Sequence, residues 1–118
     1  MKIYGKERGF LMTVGASAAI AKLCPDHKLE KWTEMLRESD DVVSIENRAK
    51  MIAALNEGYE QNRAFSEPDY RPDPLTVEAI LALPNRDFLA LLTEALNATI
   101  PKNEIESEPL KKNTGAGV

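Results

Sequence analysis

Cysteine and histidine each occur once in 118 residues, as Cys24 and His27. A lone cysteine excludes an intrachain disulfide and a Cys-only metal cage, so folding must rest on burial, and a reducing cytoplasm is the expected setting. Cations are also scarce: 15 Lys and Arg stand against 19 Asp and Glu, a net charge of −4. Phosphate binding draws its affinity from clustered Lys and Arg, so this balance speaks against DNA or RNA as a partner. No apolar run approaches the roughly 20 residues that span a bilayer, so no membrane role is expected. The six glycines form neither a dinucleotide-binding loop nor a Walker loop.

One pattern imitates a targeting signal. Lys2, Lys6 and Arg8 precede the apolar stretch from Phe10 to Ala21, with Ala16-Ser17-Ala18 as a mock cleavage site. Glu7 offsets part of that charge, and Thr13, Gly15 and Ser17 dilute the apolar run. A cytoplasmic protein is the expectation.

What the chain does contain is hydrophobic periodicity, enough for one domain. Lys2-Ile3-Tyr4 and Phe10-Leu11-Met12-Thr13 read as two strands of a short hairpin, with Gly5 and Gly9 in the turn as residues able to take positive φ. Such a ribbon is marginal alone and must either lie on the helices or pair its edge with another chain. From Thr13 the period changes to three and four, through Ala16, Ala19, Ile20 and Leu23, until Pro25 stops the helix. A second short helix is expected over Leu29–Leu36, with Leu29, Trp32, Met35 and Leu36 on one face. A third carries Val42, Ile45, Ala49, Ile52, Leu55 and Tyr59 and should be the central helix of the core, with Ser39, Asp40, Asp41 and Ser44 available as caps. Thr76 is placed to cap a fourth bearing Val77, Ile80 and Leu81. Pro84-Asn85 then breaks the chain and caps a fifth, whose apolar face is Phe88, Leu89, Leu92 and Leu96.

The predicted fold is therefore mostly α: a short N-terminal β-hairpin followed by a bundle of about five helices over residues 1–100. A flexible tail is expected over 101–118, where charge alternates with Pro, Ser, Thr and Gly and no aromatic occurs.

Catalytic readings find little support. Cys24-Pro25-Asp26-His27 suggests a nucleophile and its base, but further metal ligands or oxyanion donors are missing; a buried cysteine closing a helix is the plainer account. Asp40-Asp41, and Glu67 with Asp69, read as a helix cap and a solvated linker rather than as an acid–base pair. No enzyme, cofactor or metal site is expected. Phe65 and Tyr70 are the candidate partner-binding residues: large apolar groups that lie in the Pro-rich spacer from Phe65 to Pro74 and either anchor a partner or fold back over the core.

Three stretches carry a family resemblance: Phe10 to Leu23, the helix ending Ile52-Ala53-Ala54-Leu55-Asn56-Glu57-Gly58-Tyr59, and Asp73-Pro74-Leu75-Thr76-Val77-Glu78-Ala79-Ile80-Leu81 ahead of a final helix. In this order the chain resembles the tail assembly chaperones of long-tailed phages and related prophages, over roughly residues 2 to 100. The resemblance implies a small helical protein, absent from the finished particle, that coats the apolar tape-measure protein while the tail tube polymerises around it. It implies no cofactor, and self-association along the client. It also implies a longer frameshifted product, for which Lys111-Lys112-Asn113 is compatible with a slippery codon run. No residue-level signature assigns client contacts. The competing expectation is a small helical adaptor or regulatory domain, unrelated to phage assembly, that binds one protein partner through the same aromatics.

Overall fold

The computed structural model describes residues 1–99, so the expected tail and the Lys111-Lys112-Asn113 motif lie outside the described residues. Among the described residues the chain is mostly helical, with a two-stranded antiparallel hairpin and five α-helices. The hairpin pairs β1 (Lys2–Ile3) with β2 (Lys6–Glu7), Lys2 opposite Glu7 and Ile3 opposite Lys6.

This corrects the expected register. The turn is Tyr4-Gly5, with φ of 54° and 77°, the two positive values that a tight two-residue hairpin turn requires. Glycine takes that geometry freely. A tyrosine does so at a cost, and here its hydroxyl donates to the Ala79 carbonyl at 2.7 Å, which ties the turn to the fourth helix. Gly9 does not adopt positive φ, and Phe10–Thr13 is not a strand. That segment is an extended arm crossing the third helix, where the Leu11 amide donates to the Leu55 carbonyl at 3.0 Å. The hairpin lies on the helices, with Ile3 buried in the core.

Helix α1 (Val14–Ala21) begins at Thr13, whose hydroxyl accepts from the Ala16 amide at 3.1 Å, and it buries Ala16 and Ile20. The apolar stretch that imitated a signal peptide thus gives Ala16 and Ile20 to the core, with Phe10 and Met12 packed against it. After two short 3-10 turns, at Pro25–His27 and Leu29–Lys31, α2 (Trp32–Leu36) buries Met35. Arg48 donates to the Leu36 carbonyl at 2.8 Å and so closes the end of α2.

Helix α3 (Asp41–Ser66) is the spine and packs against α1, α2, α4 (Val77–Leu81) and α5 (Asn85–Thr99). Asp40 caps it by accepting from the Val43 amide at 3.0 Å. With neighbours on several sides it buries more than one stripe: Ala49, Met51, Ile52 and Leu55, together with the polar Ser44, Asn56 and Glu60. Val42 and Ile45, expected in the core, are exposed. In α4 the cap is Thr76, accepting from Ala79, as expected, but Leu81 is exposed. At α5 the Pro84 carbonyl accepts the first bond, from the Phe88 amide, so Asn85 opens the helix instead of capping it. The buried face of α5 is centred on Leu91, Leu92 and Ala95, and Leu89 points outward. Leu89 and Leu91 lie about 200° apart on a helix, so rotating the face towards Leu91 turns Leu89 out.

The close approach of arm and spine depends on Gly58. A Cβ built there would lie 2.6 Å from the Leu11 carbonyl and 2.9 Å from the Thr13 hydroxyl, whereas one at Gly15 meets nothing nearer than 4.0 Å. Gly58→Ala is therefore expected to lower stability by about 1–3 kcal/mol. Gly15→Ala, on an open helix face, should raise it by up to about 1 kcal/mol. Urea unfolding midpoints at unchanged slope check both.

Candidate functional site

The two candidate aromatics have separate fates. Tyr70 folds back. It is half-buried, its hydroxyl donates to Glu60 Oε1 at 2.7 Å, and its ring lies between two cations, 4.1 Å from the Arg63 guanidinium and 4.9 Å from the Lys6 ammonium. Phe65 stays out. It sits on the last turns of α3 rather than in the Pro-rich spacer, and it is 90% exposed.

The spacer is held to α3 by a polar network that periodicity did not reveal. The Glu60 side chain is fully buried, and its Oε1 accepts three donors: the Lys6 ammonium at 2.9 Å, the Tyr70 hydroxyl at 2.7 Å and the Asp73 amide at 2.8 Å. One turn earlier, Asn56 donates to the Gly9 carbonyl at 3.0 Å and accepts from the Leu75 amide at 2.7 Å. Arg8, also buried, donates to the Ile3 carbonyl at 3.0 Å and the Asp73 carbonyl at 2.6 Å. The available signal was the pair Asn56 and Glu60, which continue the Ile52 row at steps of four just after the apolar run Met51–Leu55.

Cys24 and His27 share one turn, the His27 amide donating to the Cys24 carbonyl at 3.0 Å. Cys24 is buried at the end of α1 and donates its thiol to the Ile20 carbonyl at 3.3 Å; burial pushes its pKa up, away from the thiolate a nucleophile requires. His27 is exposed, and Asp26 pairs with Lys31 at 2.9 Å. Glu67 pairs with Arg63 at 3.1 Å, and Asp69 is exposed. Among the described residues no group of three or more His, Cys, Asp and Glu is placed to hold a metal ion, and no helix is long and apolar enough to cross a membrane.

Phe65 instead closes one end of a groove of about 520 Å³ between α1 and α3. Its floor is made of small residues, Gly15, Ala16, Ala19, Ala54 and Gly58; Val14, 89% exposed, rises on the α1 side, and Glu57, Gln61 and Asn62 supply polar edges. A second cavity of about 580 Å³ lies beside it, between the arm and the end of α3, and shares Asn62. Large exposed apolar side chains beside a concave surface mark an interaction site more often than scattered single ones do.

Compared with protein-family models, with curated proteins and with solved structures, the chain matches none. The groove therefore has to be read from its own chemistry. It offers apolar contact, a few hydrogen-bonding edges and one carboxylate.

The network makes a pH prediction. Burial pushes the Glu60 carboxyl up, but the Asp73 amide, Lys6 and Tyr70 more than offset this and leave it below the ordinary value of 4.5. A carboxylate depressed in the folded state contributes its stabilisation above the unfolded value and loses it as pH falls through the folded value. Acid titration of the folded protein should show this loss below pH 4.5. Glu60→Gln should flatten that part of the stability–pH curve, and Glu60→Ala should cost about 1–3 kcal/mol at neutral pH by stranding buried donors.

Proposed function

We propose that the protein is a non-catalytic tail assembly chaperone, which holds apolar segments of a tape-measure protein while tail tube subunits polymerise around it. The observation that carries this reading is the groove between α1 and α3, with Phe65 and Val14 about nine-tenths exposed on its borders. A core residue of that size would be buried, and a solvated helix face would not carry it beside a concave apolar floor. The sequence resemblance supplies the client. Each groove need bind only weakly, because many copies acting along one long chain add their effects through avidity.

Such holding requires no bond making and no cofactor. It requires that apolar surface be offered without collapsing on itself, and a preorganised groove on packed helices meets that condition.

The test is co-expression with the tape-measure protein of the same locus, followed by sedimentation of the soluble fraction. A soluble complex holding many copies of this chain is the expected result. A tape measure that stays insoluble beside free chain would shift the reading to a helical adaptor with one defined partner. Phe65→Ala should leave the unfolding midpoint within about 0.5 kcal/mol of the parent, since the side chain is exposed. The same variant should weaken client capture by about 2 kcal/mol, roughly thirtyfold, as loss of an aromatic anchor does.

A further inference from the structure

We propose that the groove between α1 and α3 takes an amphipathic helix whose apolar stripe is bordered by a lysine or arginine, the cation meeting Glu57. This rests on the reading of the protein as a holder of apolar client segments, and it names the chemistry of the segment.

Shape argues for a helix. From Ala54 to Phe65 the wall contributed by α3 is about 16 Å long, the length of about three helical turns. Gly15 and Ala19, both exposed, present little beyond backbone, so another helix can approach α1 closely, while Phe65 and Val14 would contact its apolar side chains. An extended peptide would find no ladder to join, because the walls are helices whose backbone groups are already bonded within themselves.

Charge argues for the border residue. Glu57 is the one charged side chain lining this groove, it is exposed, and it has no cation partner among the described residues. Helix α1, the opposite wall, carries no charge from Val14 to Ala21. In the adjoining cavity the charges Arg63 and Glu67 neutralise each other at 3.1 Å. An occupant that covers Glu57 must therefore bring its own cation or leave a carboxylate partly desolvated and unpaired. The chain's net charge of −4 disfavours a second copy as that occupant.

Two labelled helical peptides of about four turns, sharing one leucine stripe and differing only in lysine or glutamate along its border, are titrated against the full chain by fluorescence anisotropy. The lysine peptide should bind up to about fivefold more tightly, the range of a solvent-accessible ion pair. Glu57→Lys should invert that preference. Gly15→Leu, which fills the groove from a position with open space around it, should abolish binding of both peptides while the unfolding midpoint holds or rises. Equal affinity for the two peptides, no binding of either, or binding indifferent to Gly15→Leu would overturn the proposal. So would a dimer of the free chain that Gly15→Leu dissolves, since the groove would then belong to a second copy. Tape-measure recovery separates this inference from the reading beneath it. Recovery that is equal with the parent and Gly15→Leu leaves the chaperone and removes the groove as its client site. Lysine-selective peptide binding without any tape-measure recovery keeps the groove and removes the chaperone.

Discussion

The buried carboxylate of Glu60 is the interaction on which the architecture depends. Two segments meet on one of its oxygens: the hairpin through Lys6, and the Pro-rich spacer through both the Tyr70 hydroxyl and the Asp73 amide. Its other oxygen, Oε2, is buried without a hydrogen-bond partner among the described residues. An isolated buried charge costs several kcal/mol, so an apolar residue here would be cheaper in isolation. It would also strand the Asp73 amide and the Tyr70 hydroxyl away from water. The carboxylate is thus best understood as a device for position: it specifies where hairpin and spacer sit relative to α3.

Asn56 and Arg8 extend the same logic. Asn56 bridges the arm and the end of the spacer from α3, and Arg8 bridges the hairpin and the spacer. A spacer rich in proline has few amides of its own to donate and little freedom to adapt, so the matching groups have to come from the helix. With the spacer fixed along the turns around Asn56 and Glu60, it does not fold back over the end of α3. The exposure of Phe65 follows from that placement.

Much of this was legible in the sequence, and the failures share a cause. Thr76 was readable as a cap, and Asp40 as one of four candidates, because a short polar side chain before an apolar period has one strong local use; Thr13, read as the end of a strand, caps α1 instead. Ala16, Ile20, Ile52 and Leu55 were readable because they repeat at helical spacing. The hairpin register was not, since Tyr4 takes a backbone conformation rare for its type, and only its bond to Ala79 explains why it is held there. Val42, Ile45 and Leu89 fit a periodic stripe as well as the buried residues do; the identity of the neighbours decides, and neighbours are not local information. Asn56 and Glu60 were invisible to a search for apolar repeats, although a polar pair inside such a repeat is itself a signal of a buried network. For the candidate site, the composition picked out both Phe65 and Tyr70 but could not separate them. The difference is that Tyr70 has a hydroxyl for Glu60 to accept and Phe65 has nothing polar to offer.

That division between the two aromatics suggests how a small acidic domain can be both rigid and accommodating. Rigidity resides in directional bonds: charge-assisted contacts on Glu60 and the bridge that Asn56 makes from Gly9 to Leu75 tie arm and spacer to the spine. On the proposed reading accommodation would reside in the groove, where Gly15, Ala19 and Ala54 would make contacts that depend on shape and area and little on sequence. A floor of small side chains loses little entropy on contact and admits different apolar residues from the other side, with Phe65 free to choose its rotamer. A segment docking there would be selected by the spacing of its apolar residues and by the sign of the charge beside them, not by an exact side-chain sequence. On the proposed reading, selection of that kind would let one surface engage many stretches of a long chain in turn, with the burden of specificity on periodicity and charge.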